Sequence, residues 1–418
     1  MLVLSGRVFY RERLESLSLG IEGGKIVSIR KVLKGDETRD YGDALLLPGC
    51  IDLHVHFRDP GLTHKEDFAS GTMAAALGGI TTVADMPNTK PPVRRPDDLH
   101  AKDAALRGRA TVDYGLYAAP ASARDTRRLA DSDALKVYMA ETTGDLHLEP
   151  GPLREVVASS GDIGKLLVVH AEDATRFDPE KDTDLEGHHR ARPKESEVSA
   201  IRALGGWQRT GPVHVAHVTC VEALGAVAAG MTTEATPHHL LLDVRRGLGA
   251  RGKVNPPLRS PEDREALWKA FQEGRIDAIG SDHAPHTLDE KEEGLFAEAP
   301  AGLPGVGTSF PLLLRRVKAG DLELPRLVSA MATRPAEILG VRDKGRIEVG
   351  FDADLVVVDP REATDVRARR LRYKCGWTPF EGMEACFPRD VYVRGEVVVA
   401  GGEPAAEGRG RRITTSKR

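Results

Sequence analysis

The sequence predicts an α/β protein, a TIM (β/α)8 barrel carrying a small β-sandwich domain formed from both termini. Three observations predict it. Eight short β-branched runs alternate with helix-length segments through the middle of the chain, as parallel βα units do. Both ends are Gly-punctuated strand patterns without helices, and neither end alone has enough strands to bury a face. The length, 418 residues, suits a barrel plus an accessory module.

At the N-terminus, LVLSGRVF, SLSLGIEGGKIVSIRKV and DALLLPG read as short alternating strands. The eight barrel runs are CIDLHVHF, TTVADM, VDYGLYAA, ALKVYMA, LLVVHAE, VHVAHVT, MTTEAT and DAIGSDHA. Helices fall between them. KEDFASGTMAAALGG is one, and SPEDREALWKAFQEG is another, opened by Ser260 as N-cap with Asp263 three residues on. GRIEVGFDADLVVVDP and DVYVRGEVVVAGG return to strands. The resulting division is 1–47 and 346–402 for the two parts of the sandwich, 48–345 for the barrel, and 403–418 for a flexible basic tail, with RGRGRRITTSKR read as solvated.

Composition narrows the function. Lys and Arg number 59 against 63 Asp and Glu, a net charge of −4, which argues against a nucleic-acid or membrane-surface partner and leaves a small-molecule substrate. The opening MLVLSGRVFYRER has no signal-peptide core, and no apolar run approaches a membrane span. Cys50, Cys220, Cys375 and Cys386 form neither a CxxC pair nor a disulfide framework. A reducing, cytoplasmic setting is expected. Amides are scarce: Asn occurs only at positions 88 and 255, Gln only at 208 and 272.

Barrel chemistry sits at the C-terminal ends of the strands. Here those ends carry His54 and His56, Lys136, His170, His217 and Asp282. His54 and His56, two apart, point to one side of a strand and make a two-nitrogen claw for zinc. Alone, His170 or His217 is more often a satisfied core residue than a ligand, and the His54–His56 pair reads equally as a coincidence on a solvated edge; four histidines with an aspartate, all at strand ends, read as a metal centre. Lys136 lies inside an apolar strand, where an ammonium is costly. It either snorkels to an acid or has reacted with carbon dioxide, becoming a two-oxygen anion that bridges two metals. The resulting expectation is two zinc ions. His54, His56 and Asp282 hold one, His170 and His217 the other, and carboxylated Lys136 bridges them, so that a nucleophile forms at neutral pH.

These residues stand in strings with a family likeness. DLHVHFRDPGLTHKEDFASGTMAAALGGITTVADMPNTKPP resembles the amino-terminal signature of dihydroorotases in the amidohydrolase superfamily, as do IGSDHAPHTLDEK and GLPGVGTSFPLLL. The resemblance runs from about Pro48 through DADLVVVDP. It implies reversible, zinc-dependent hydrolysis of a cyclic amide, linking L-dihydroorotate and N-carbamoyl-L-aspartate in pyrimidine biosynthesis. It also implies the same six metal ligands, Asp282 as the catalytic residue that takes and returns a proton, and substrate contacts from Arg58, Asn88, Asn255 and His286. A carboxylate substrate suits the fork of Arg58, and the two scarce asparagines are the two the motif requires. LKVYMAETTGDL resembles the lysine-bearing subgroup, and no DDG occurs there.

The segment TLDEKEEGLFAEAPAGLPGVGT, long for a βα loop, is expected to cover substrate, with backbone contacts from Ala301, Pro304 and Gly305. Glu234 is expected to support the ligands, His238 and His239 to be structural, and His64, His100, His147, His188, His189 and His214 to be ordinary polar residues. The same scaffold serves allantoinases and dihydropyrimidinases (hydantoinases), and HFRDPG with MPN favours dihydroorotase. A catalytically inactive homologue that scaffolds aspartate transcarbamoylase would have lost ligands, whereas here every position is filled. A homodimer and a transcarbamoylase partner are both compatible with the sequence.

Overall fold

The computed structural model describes residues 1–142 and 146–416. Residues 143–145 of the ETTGDL run and the last two of the basic terminal run lie outside the described residues. Strands β1 (Leu2–Tyr10), β2 (Arg13–Glu22), β3 (Lys25–Arg30) and β4 (Glu37–Pro48) open the chain. The barrel strands follow: β5 (Cys50–Val55), β6 (Ile80–Asp85), β7 (Asp113–Ala118), β8 (Ala134–Tyr138), β9 (Leu167–His170), β10 (Val213–Val215), β11 (Met231–Ala235) and β12 (Ala278–Ile279). The chain closes with β13 (Leu355–Val358), β14 (Thr364–Asp365), β15 (Glu384–Ala385), β16 (Asp390–Val393), β17 (Glu396–Ala400) and β18 (Glu403–Pro404).

All eight expected barrel strands are present, in sequential order and parallel. They are buried on both faces, which explains their unbroken β-branched runs. A parallel bridge between Val55 and His283 links the first strand to the stretch after the last. Asp52 reinforces that seam by accepting the backbone N–H groups of both His54 and Ser281.

The termini meet in one eight-stranded sheet ordered β18-β17-β16-β13-β4-β1-β2-β3. Strand β4 shows why this sheet docks. Leu46 faces a local core with Leu4, Leu19 and Leu355, while its neighbours Leu45 and Leu47 join the core that continues into the barrel. After Pro48 the chain passes at once into β5, so the sheet is held against the barrel by its own connection.

One expectation is corrected. The basic C-terminal segment is not a solvated tail through residue 416. Ile413 is buried, its N–H bonds Tyr114 O, Gly410 N–H bonds Ala110 O, and Arg412 pairs with Asp133. An edge of backbone and two fixed carboxylates, Asp133 and Asp113, recruit the arginine-rich run that charge density alone assigned to solvent. Among the described residues, no helix is long and apolar enough to cross a membrane.

Candidate active site

The strand ends converge on one narrow, partly enclosed cavity. Its lining includes His54, His56, Arg58, Asn88, Lys136, His170, His217, Asn255, Asp282 and Ala301. His54 and His56, two apart at the end of β5, share a side, and Arg58 follows after the chain has left the strand. Lys136 projects from β8, His170 ends β9, and His217 and Asp282 lie just past β10 and β12. Arg58, His217 and Asp282 have φ of 61°, 37° and 45°, backbone that non-glycine residues adopt at a cost of about 1–3 kcal/mol each.

Each of three imidazoles has one nitrogen anchored from behind and the other turned toward the neighbouring candidate ligands. His54 Nδ1 lies 2.5 Å from Glu234 Oε1, and its Nε2 is 3.3 Å from Asp282. His56 Nδ1–H donates to Asn88 Oδ1 at 2.6 Å, and its Nε2 is 3.1 Å from Asp282. His170 Nε2–H donates to Glu172 at 2.8 Å, turning Nδ1 toward His217 Nε2 at 3.1 Å. Such partners fix tautomer and orientation. Glu172 is in turn held by Arg192 at 2.5 Å. Glu234 needs close access to His54, and the chain provides it with Gly280, where a Cβ would stand 2.6 Å from Glu234 Oε2.

The electrostatics suit cations. Burial, then the nearby lysine charge, lowers the pKa of His54 to about 4, and burial lowers those of His170 and His217, so these rings are neutral donors. Asp282 is held well below the usual carboxylate range: burial opposes this, and His54, His56 and His217 outweigh it. Lys136 is fully buried, its Nζ has no hydrogen-bond partner among the described residues, and burial pulls its pKa down to about 8.

The donor set fits metal. The ligand atoms of His54, His217 and Asp282 lie within 4.8 Å of one another. The ring nitrogens His170 Nδ1 and His217 Nε2 lie 3.1 Å apart, and His217 Nδ1 has no hydrogen-bond partner among the described residues. A second triad, Asp113, Asp352 and Asp354, is compact enough to hold an ion but already encloses the ammonium of Lys344 at 2.6–2.8 Å.

Not every expected contact lines the cavity. His286, 1% exposed, stands behind Arg58, its Nε2 3.1 Å from Nη2, with Lys65 and Glu290 on its far side. Pro304 and Gly305 lie back from the lining; Gly305 N–H is spent on His283 Nδ1, and Gly302 joins Ala301 in the wall instead. Asn255 lines the cavity, with its Oδ1 3.0 Å from His188 Nε2.

Residues 45–398 match the amidohydrolase family. The chain belongs to that family. It is 40% identical to the dihydroorotase of Halobacterium salinarum over 90% of this chain and 92% of that one. It is 38% identical to the dihydroorotase of Methanosarcina mazei, over 94% and 92% respectively. Among solved structures, the L-hydantoinase (dihydropyrimidinase) from Arthrobacter aurescens superposes with a TM-score of 0.94 at 28% identity, covering 99% of both chains. The dihydropyrimidinase from Brevibacillus agri gives 0.90 at 28% identity, covering 99% and 98%.

Sequence reasoning missed several residues of this amidohydrolase. Glu172 had a signal, an acid two residues after a strand-end histidine. Tyr138 and Thr142 also line the cavity. His188 and His214 are not ordinary surface polar groups: the first holds Asn255, and the second is buried with Thr232 and Glu234.

Proposed function

We propose that this amidohydrolase is a dihydroorotase, opening and closing the ring amide that relates L-dihydroorotate to N-carbamoyl-L-aspartate. One observation carries the choice among cyclic amides. Arg58 lines the cavity at 2% exposure, and among the described residues no carboxylate pairs with it. Its Nε bonds Pro285 O and its Nη2 meets His286, a ring that burial keeps neutral by lowering its pKa to about 3. A buried guanidinium without an anion is costly, and a substrate carboxylate would satisfy it bidentately. Dihydroorotate has that carboxylate; hydantoin and dihydrouracil lack it. The dihydroorotases among the sequence relatives support the same reading.

Two zinc ions are the proposed cofactors. His54, His56 and Asp282 would hold one, His170 and His217 the other. Lys136 would join them as a carbamate, formed when its neutral amine adds carbon dioxide and loses a proton. Zinc so held supplies Lewis acidity toward the ring carbonyl and ionisation of water near neutral pH. Asp282 takes the proton of the attacking water and delivers it to the departing ring nitrogen; cyclisation runs the same transfer backwards. Arg58 fixes the carboxylate and Asn88 lies beside it. Asn255, its oxygen engaged by His188, turns its amide N–H toward the ring.

The test compares zinc-loaded enzyme on L-dihydroorotate, carbamoyl aspartate, hydantoin, dihydrouracil and allantoin. Turnover of the first two, with the others at least about a hundredfold slower in kcat/KM, is expected. Preference for hydantoin or dihydrouracil would make the chain a hydantoinase, and no turnover of any would favour the scaffolding role.

A further inference from the structure

Two buried lysines cross-lace the segments that follow the seventh and eighth barrel strands. Lys291, 0% exposed, donates to Lys253 O at 2.9 Å, Pro300 O at 2.7 Å and Gly302 O at 3.3 Å. Among the described residues no carboxylate lies within ion-pair distance of it, so its partners are all main-chain carbonyls. Lys253, 4% exposed, reaches the other way, to Phe296 O at 2.9 Å, Ala297 O at 2.8 Å and Asp182 at 3.0 Å. Gly302 N–H also bonds Lys253 O.

The tethered stretches are those that build one wall of the cavity. Val254 and Asn255 follow Lys253 directly, and Ala301 and Gly302 lie between and upon the carbonyls that Lys291 gathers. Gly302 has φ of 146°, and a Cβ there would stand 2.3 Å from Ala284 O, so the strand-like approach of this wall to Ala284 has no slack. A single ammonium with three acceptors in two segments fixes their separation; an apolar side chain of equal length cannot.

We infer that Lys291 is a positioning residue for substrate recognition, setting the distance between the Asn255 segment and the Ala301–Gly302 wall without touching substrate. The post-strand-eight excursion is on this account a fixed wall rather than a closing lid. The inference rests on the dihydroorotase reading for its kinetic arm only.

Lys291→Met keeps length and removes the donors. Its KM for L-dihydroorotate is expected to rise about tenfold or more, with kcat within about threefold and zinc content unchanged. Hydrogen exchange of peptides covering 299–303 is expected to quicken, because the Gly302 amide loses its fixed acceptor. Lys291→Gln, retaining one amide donor, should fall between variant and wild type on both readouts. The exchange arm needs no substrate, so a wild type inactive on dihydroorotate would sink the functional reading and leave the clamp tested. KM and exchange both within about twofold of wild type would overturn the inference. So would a fall in kcat together with zinc, or failure of both variants to fold, which would make Lys291 a determinant of the fold at large.

Discussion

Asp282 is asked to do two things, to help hold a cation and to carry a proton. It has the surroundings for both: two imidazole nitrogens within 3.3 Å and a backbone turned inward at φ 45°. Asp282→Asn keeps shape and loses the base. Turnover in both directions should fall by about 10²–10⁴, the range of a lost general acid–base, while metal analysis still finds zinc in part. Appreciable residual activity would remove the proton-carrying role. The ligand candidates were readable in the sequence because histidine, lysine and aspartate are out of place at the ends of apolar strands. Of their supports, Glu234 was expected. Glu172 and His188 are polar residues like many others until the fold shows that one engages His170 and the other Asn255. His286, which its motif marked as a substrate contact, sits beside Arg58 rather than in the cavity lining.

At the scale of elements, the barrel strands were legible because burial on both faces forces continuous β-branched runs, and their order follows from parallel βα connectivity. Short helices in long connections were not. The helix Leu185–Ala191 has one clear turn signal, Asp184, which caps Gly187 N–H, and no apolar periodicity to announce it. That helix carries a pH-sensitive contact. His189 Nδ1 lies 3.3 Å from the Arg259 guanidinium; burial, then that positive charge, lowers its pKa from 6.5 to about 4. The folded state thus binds its proton more weakly than the unfolded state does. The associated stability is complete above pH 6.5 and is lost as pH falls toward 4. His189→Gln, which keeps an acceptor but does not titrate, should lessen the fall in melting temperature between those pH values, the other buried histidines keeping the rest. An unchanged pH profile would show that the contact is not linked to folding.

At the scale of the whole molecule, a buried charge cluster joins the barrel sheet to the terminal sheet. Lys344 meets Asp113, at the start of β7, together with Asp352 and Asp354, just ahead of β13, and Arg394 adds a second cation on Asp113. The pKa of Lys344 is raised: burial opposes, and the three carboxylates prevail. Lys344→Met would leave buried carboxylates short of a counter-charge and should cost about 3–5 kcal/mol in denaturant unfolding, as breaking a buried pair does. A loss under about 1 kcal/mol would mean that the sheet docks on apolar contacts alone. The basic terminal segment belongs to the same scale. Its destination was invisible because nothing local distinguishes an arginine that meets solvent from one that meets Asp133 across the fold.

The proposed function makes one demand of the six convergent side chains, Lys136 among them: a pair of cations joined through that lysine. A crystal structure of the zinc-loaded enzyme, with zinc per chain measured on the same preparation, addresses it directly. The account predicts two zinc ions and planar three-atom density extending Lys136 Nζ as a carbamate. One zinc or none, with an unmodified ammonium at Lys136, would contradict it.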